Sequence, residues 1–254
     1  MKRTNIYVST IAADAEEVIK KYGFGIELGQ FCTAAAMEDE AIRKSTADLL
    51  ASLYSPRAVL HAPFNELFPA AIDPQAVMLA EKRYRQAYDT ATSFGIDRMV
   101  VHSGYMPFVY FKEWHIEKSI KFWNRYMADK PGNFQLYIEN VLEDEPRMMA
   151  DMMKEIKDER IHICLDIGHA ACMSDVPVEE WISVLSPYIG HLHMHNNNGS
   201  YDDHAPIDKG KIDIAKTISA IKNCCSPDVT FTLESMDSTA SALWLEHREG
   251  ITDE

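Results

Sequence analysis

Basic charge is scarce in this chain. Its 254 residues carry 25 lysines and arginines against 39 aspartates and glutamates, a formal net charge of −14. A polyanion repels nucleic acid unless metals or a local basic patch intervene, and no run of four basic residues supplies such a patch. Nucleic acid is therefore disfavoured as a partner, and an anionic membrane surface for the same reason. Long apolar runs are missing too: no stretch approaches the roughly 18 residues a spanning helix needs. The opening Met-Lys-Arg is not followed by the apolar core of a secretion signal, so the expected location is the cytoplasm. Five cysteines (Cys32, Cys164, Cys172, Cys224, Cys225) are odd in number, form no CxxC and include two neighbours that could hardly bridge to each other. They are expected reduced, as buried small hydrophobes. No GxGxxG follows a strand pattern, and no P-loop, Ser-His-Asp order or zinc-finger spacing is present.

What the chain does have is core material, 46% apolar and 10% aromatic side chains, in a length close to that of one (β/α)₈ barrel. No linker interrupts it, and residues 1–254 are expected to form one domain. Strand-like runs alternate with helical patterns. Strands are expected at 5–9, 24–29, 57–61, 98–102, 134–139, 160–166, 188–195 and 228–234. Helices are expected at 12–22, 38–54, 73–94, 112–128, 146–157, 178–185, 212–223 and 239–247. The third helix is bounded by Asp73 as N-cap, Pro74 at the first helical position and Gly95 as the stop. Met99-Val-Val and Val229-Thr-Phe-Thr-Leu stay apolar or neutral throughout, as strands covered on both faces do, so the sheet should be parallel. Eight strict β-then-α units fit an α/β fold of the closed TIM-barrel type better than an open doubly wound sheet.

From the third strand to the eighth, the last residue or so is a metal-ligand type: His61, His102, Glu139, Asp166, His193 and Glu234. A barrel of this type gathers its strand C-termini at one mouth, so these six should converge. Singly, each has a mundane explanation as a helix cap or hydrogen-bonded core residue. Six in succession, in otherwise apolar strands where unpaired polar groups are costly, argue for a site. His169, in Asp166-Ile-Gly-His169, and the Asp202-x-His204 pair lie just beyond strand ends. Mixed imidazole and carboxylate donors suit Zn²⁺, Mn²⁺ or a similar ion, so at least one transition-type metal is implied.

These motifs, with His61 in His-Ala-Pro, His102 in Val-Val-His-Ser-Gly, Glu139 in Tyr-Ile-Glu-Asn, His193 in His-Met-His-Asn and Glu234 in Leu-Glu-Ser, resemble the xylose isomerase-like TIM-barrel superfamily. That grouping includes the endonuclease IV family and sugar phosphate isomerases and epimerases, and the resemblance runs from about residue 57 to 236. It implies that Glu139, Asp166, His193 and Glu234 share one metal, that the two glutamates act as acid and base beside the substrate carbon, and that His169 faces the substrate. The nine-residue set also matches positions that hold three zinc ions in endonuclease IV, so the resemblance implies one to three ions per chain.

The leading expectation is a divalent-metal-dependent isomerase or epimerase of a small sugar or sugar phosphate, in which Glu139 and Glu234 exchange a proton with carbon through an enediolate. The rival is a multi-zinc phosphodiesterase or phosphatase acting on a small phosphoester. A third class, a non-catalytic metal-dependent sugar-binding barrel, would leave the paired glutamates without a task. A homo-oligomer is open. His195 shares the inward parity of His193 and is expected to orient a ligand or touch substrate. His191, deeper, should fill the barrel interior; His162 reads as core, and His115 and His247 as helix surface. Lys209 reads as a solvated loop lysine. Tyr105, Phe108, Tyr110, Phe111 and Trp114 crowd the loop after the fourth strand, where they could cover a sugar or a subunit. Met148, Met149, Met152 and Met153 read as helix packing.

Overall fold

The eight apolar runs form strands β1 (Ile6–Ser9), β2 (Gly25–Leu28), β3 (Ala58–His61), β4 (Arg98–His102), β5 (Gln135–Glu139), β6 (Ile161–Asp166), β7 (Ile189–Met194) and β8 (Thr230–Leu233). A computed structural model describes residues 1–54 and 56–253 of the chain. Each strand pairs in parallel with the next and β8 returns to β1, so the barrel closes in chain order. Around it stand α1 (Ala15–Tyr22), α2 (Ala34–Glu38), α3 (Glu40–Ser52), α4 (Pro74–Ser93), α5 (Lys112–Met127), α6 (Arg147–Glu155), α7 (Ile167–Met173), α8 (Val178–Leu185), α9 (Ile214–Cys224) and α10 (Ser238–Glu249). The expected parallel α/β barrel is the observed fold.

Local boundaries differ for identifiable reasons. The helix expected over residues 38–54 is interrupted at Asp39, which takes an extended conformation (φ −89°, ψ 111°) and accepts the amides of Ala41 and Ile42 as N-cap of α3. Asp166-Ile-Gly-His169 is the first turn of α7, with the Asp166 carboxylate accepting the His169 amide at 2.7 Å. Asn5 closes a short 3₁₀ turn, Arg3–Asn5, ahead of β1. The capping of α4 is as expected, since Asp73 accepts the Gln75 amide and Pro74 opens the helix.

Alternation along the strands divides two cores. Outward residues such as Leu60, Val101, Ile138, Leu165 and Leu192 are fully buried under the helices. Inward residues Tyr7, Val59, Val100, Tyr137 and Cys164 make a small apolar floor inside the barrel. Gly25 permits it: a Cβ there would come within 2.4 Å of the Tyr7 ring. Above this floor the inward positions turn polar. Between β6 and β7 the register shifts, Ile163 pairing with Ile189 and Cys164 with His191, so Gly190 is the extra residue. That bulge sets which face His191 and His193 present.

His115 contradicts its expected place on a helix surface. It is 1% exposed, packed edge-on against Tyr105 at 5.2 Å with the Ser119 hydroxyl 3.3 Å from its Nε2, because the loop after β4 folds back over the first turn of α5. Burial lowers its pKa to about 4. His162 is only half-buried, its Nε2 2.9 Å from Gln135 Oε1, and His247 is exposed. The cysteines are all free, but only Cys164 is buried; Cys224 is exposed and the other three are half-buried. The four methionines of α6 are buried as packing residues.

Candidate metal centre

Strand register places the side chains before any local contact does. His102 pairs with Glu139 across β4 and β5, and Asp166 with His193 across β6 and β7, all at the strand C-termini. His61 ends β3, and Glu234 follows β8. Five overlapping groups of donor atoms result, each within 4.8 Å of one another; besides Glu27, His61, His193 and Glu234, and His195, His204 and Glu234, there are three made up wholly of residues singled out in the sequence. In the first, His61 Nε2 and His102 Nε2 lie 3.2 and 3.3 Å from Glu139 Oε2. In the second, His193 Nδ1 faces Glu139 Oε1 at 3.2 Å, Glu234 Oε2 at 3.0 Å and Asp166 Oδ2 at 3.6 Å. In the third, Asp202 Oδ2 lies 3.2 Å from His169 Nε2 and 3.0 Å from His204 Nε2. Glu139 spans the first two groups with its two oxygens. The structure thus brings together all nine residues singled out in the sequence.

The imidazoles are held from behind. His61 Nδ1 lies 3.0 Å from the Ala62 carbonyl, His169 Nδ1 2.9 Å from that of Asn140 and His204 Nδ1 2.8 Å from that of Glu234. Each N–H donated to a carbonyl turns the other ring nitrogen toward its group, where it offers a lone pair when the ring is neutral. The carboxylates are braced as well. Asn140 donates to the Asp166 carbonyl and accepts the Asp166 amide, at 2.9 and 2.8 Å, tying the end of β5 to that of β6. His195 Nε2 stands 3.1 Å from both Asp166 oxygens, and its ring stacks on His204 at 4.1 Å. Its contact is with Asp166 rather than the open mouth. Asn196 ties down the loop that carries Asp202 and His204, donating to the carbonyls of Ile207 and Ile212 while its backbone bridges Ala205.

The charges of the cluster bear on whether a cation would fit it. Among the described residues, every ion-pair partner within 4 Å of Glu27, Glu139, Asp166, Asp202 and Glu234 is a histidine. Burial alone would push Glu139 and Asp166 up, yet the surrounding histidines hold both well below the usual carboxylate range. Reciprocally, burial opposes protonation of His169, His193 and His204, and the facing carboxylates outweigh it; His204 is raised to about 9. His102 shows the opposite balance, lowered to about 3 by burial. Protonated imidazoles thus supply the positive charge that the carboxylate cluster requires. A divalent ion meets the same requirement and uses the lone pairs the braced rings present, so the donor set fits one.

Two participants escaped the sequence reading. Glu27, wholly buried in β2, contacts His193 and His191 at 3.0 and 3.2 Å from beneath the site. Its signal was a lone carboxylate inside the apolar run Gly25-Ile-Glu-Leu28. Cys32 places its Sγ 3.5 Å from His61 Nδ1. The aromatic loop after β4 is divided: Tyr105 is buried, while Phe108 and Phe111 stand in solvent. Phe64 is the aromatic ring that meets the site, stacked on His102 at 4.2 Å. Lys209 is exposed and paired with Asp208.

A family model described as a xylose isomerase-like TIM barrel matches residues 17–253. The chain belongs to this family. Two uncharacterized proteins of Methanocaldococcus jannaschii are relatives. One is 26% identical over 66% of this chain and 61% of its own length, so this chain spans less than two thirds of that relative. The other is 29% identical over 83% of this chain and 84% of its own. Among solved structures, a D-tagatose 3-epimerase-like protein superposes with a TM-score of 0.77 at 22% identity, covering 96% of this chain and 95% of that one. A Thermus thermophilus protein soaked with ZnCl2 gives 0.76 at 23% identity, covering 96% and 97%. D-allulose 3-epimerase from Methylomonas, in complex with D-allulose, gives 0.73 at 16%, covering 97% and 89%. These likenesses show that the fold is shared over nearly the whole chain. No helix among the described residues is long and apolar enough to cross a membrane.

Proposed function

We propose that this chain is a divalent-metal-dependent isomerase or epimerase of a small sugar or sugar phosphate. The observation that carries the reading is the approach of two glutamates from separate strands to one imidazole nitrogen, Glu139 at 3.2 Å and Glu234 at 3.0 Å from His193 Nδ1, with Asp166 completing the group. Sugar epimerases among the solved structures of the same fold support it. Glu139, Asp166, His193 and Glu234 would hold the ion, with Zn²⁺ and Mn²⁺ suited to the mixed donors. Such an ion supplies Lewis acidity, which polarises a carbonyl and acidifies the adjacent C–H. The chain's own residues do the rest. One of Glu139 and Glu234 removes the carbon-bound proton and the other returns it, with an enediolate between the two transfers. His169, braced by Asn140 and directed across the mouth, orients the substrate oxygens.

A multi-zinc phosphoesterase is the second reading, favoured by one observation. His61 and His102 meet Glu139 on one side of the central group, and His169, Asp202 and His204 form a further group of their own. Elemental analysis of protein purified without chelator separates the readings, one ion per chain supporting isomerisation and two or three supporting hydrolysis. The decisive chemistry is isotopic. Sugar substrate turned over in D₂O should gain deuterium at the reacting carbon, because the abstracted proton exchanges with solvent. Glu139→Gln and Glu234→Gln should each lower turnover by more than the roughly 10²- to 10⁴-fold typical of one acid–base group, since metal binding suffers too. Phosphate release without carbon-bound deuterium would replace the isomerase reading with the hydrolase one.

A further inference from the structure

Polar side chains occupy both ends of the barrel. Val59, Val100, Tyr137 and Cys164 face its interior, so the residues two positions earlier, Arg57, Arg98, Gln135 and His162, share that face at the N-terminal ends of β3 to β6. They form a lower mouth beneath the apolar floor, at the end opposite the candidate metal ligands. His162 Nε2 and Gln135 Oε1 satisfy each other at 2.9 Å. The arginines are less well matched. Arg98 Nη1 donates to the Tyr7 hydroxyl at 3.3 Å, its one side-chain hydrogen bond among the described residues, and the one carboxylate within 4 Å, that of Asp97, lies 3.9 Å from its Nε. Arg57 stands 5.6 Å over the Tyr7 ring and donates to the carbonyls of Thr4 and Gly23. Arg43 stands 5.6 Å over the Phe94 ring and donates to the hydroxyls of Thr90 and Ser93. Among the described residues neither of these two has a carboxylate within 4 Å. In a chain of net charge −14, three guanidiniums thus gather at one end without close neutralisation.

A cavity of about 380 Å³ opens at this end, lined by Tyr7, Arg57, Asp97 and Arg98 and, on its apolar side, by Leu50 and Phe94 among others. That volume suits a small molecule. Asp97 is the one acid on the lining, and its side chain, 53% exposed, is screened by solvent. A guanidinium carries five N–H donors, of which Arg98 uses one. The Tyr7 hydroxyl accepts from Arg98, and among the described residues its own hydrogen meets no acceptor. Donors and positive charge at one cavity are answered together by an oxyanion, and a phosphate dianion answers them better than a carboxylate, with more charge and one more acceptor oxygen. We propose that the lower mouth binds a small phosphate monoester, its phosphate on Arg98 and Tyr7 and its organic body against Phe94 and Leu50. The site shares no residue with the candidate metal centre, and its occupancy does not depend on a bound ion.

The test uses the full chain, with inorganic phosphate, acetate and phenyl phosphate as probes. In ¹H–¹⁵N spectra of arginine-labelled protein, the Nε–H signals of Arg98 and Arg57 should move together and saturate on titration. Phenyl phosphate should bind more tightly than inorganic phosphate, because its ring covers Phe94 and Leu50, and acetate should bind most weakly. Arg98→Met should lower affinity for phenyl phosphate by roughly 10- to 100-fold, the scale of one hydrogen bond to a charged group, and Arg98→Lys, which keeps the charge without the fork, by less. Circular dichroism checks that the variants fold. If Arg98→Met does not fold, Arg98→Lys and the wild-type titration decide. Absence of saturable shifts at Arg57 and Arg98, shifts confined to the histidines at the opposite mouth, or equal affinity in folded Arg98→Met would each overturn the proposal. Acetate binding as tightly as phenyl phosphate would overturn the phosphate assignment.

Discussion

Gly168 illustrates how a single residue in the site is fixed by another. A Cβ added there would sit 1.9 Å from Cε1 of His195, whose ring in turn faces both oxygens of Asp166. Gly168→Ala must therefore displace the ring or the first turn of α7. Overpacking of this kind costs about 1–3 kcal/mol, which urea unfolding should detect. The double variant Gly168→Ala/His195→Ala should lose less than the sum of the single losses, because the clash and its partner vanish together; strict additivity would show that the two do not interact. At this scale the sequence was informative about residues that interrupt an apolar strand at its end, since a charged or imidazole group there needs a reason. For Glu27, one residue short of the end of β2, it offered only a lone carboxylate in an apolar run, and it was silent about the bracing roles of Asn140 and Asn196, because such roles depend on which strand becomes the neighbour. His115 was misplaced for the same reason: helical periodicity cannot foresee a loop folding back across the helix.

At the scale of elements, caps and bulges decide what periodicity leaves open. The apolar spacing over residues 38–54 is compatible with one helix, but Asp39 is a better cap than helical residue, and its Oδ1 takes the Ala41 amide at 2.8 Å. Asp39→Ala should cost about 0.5–2 kcal/mol in denaturant unfolding and raise amide exchange at the start of α3. Unchanged stability and unchanged protection at Ala41 and Ile42 would mean the cap contributes nothing. Strand number and order were readable because each crossover helix must separate two parallel strands, which leaves a repeated βα rhythm in the composition. The extra residue at Gly190 was not, since a bulge is a property of the pairing between β6 and β7 and not of either strand alone. It matters to the site, because it sets the side to which His191 and His193 point.

Across the whole molecule, a net charge of −14 and a buried cluster of carboxylates and histidines make stability a function of pH, and the proposed metal site would couple that dependence to metal. His204 is raised from 6.5 to about 9 because, against the opposing effect of burial, Asp202, Glu234 and Asp166 favour its charged form. A group raised in the folded state contributes stability fully below its unfolded value and loses it as pH climbs through the folded one. Metal-free protein should therefore lose stability between about pH 6.5 and 9, and the growing negative charge acts in the same direction. Glu139 and Asp166, held low in the folded state, contribute at neutral pH and lose that contribution progressively as acidification passes from the usual carboxylate range down through their lowered folded values. Zinc should reverse the alkaline trend, since ligands bind it deprotonated and compete with their own protons less as pH rises. The measurement is a series of thermal melts from pH 6 to 9.5 with chelator and with excess Zn²⁺. The expected result is a falling melting temperature with chelator, a gap to the zinc series that widens with pH, and a shallower chelator slope in His204→Asn. A gap that is constant or narrows over this range would mean that metal and protons do not compete for these side chains, and would count against the nine-residue set as ligands.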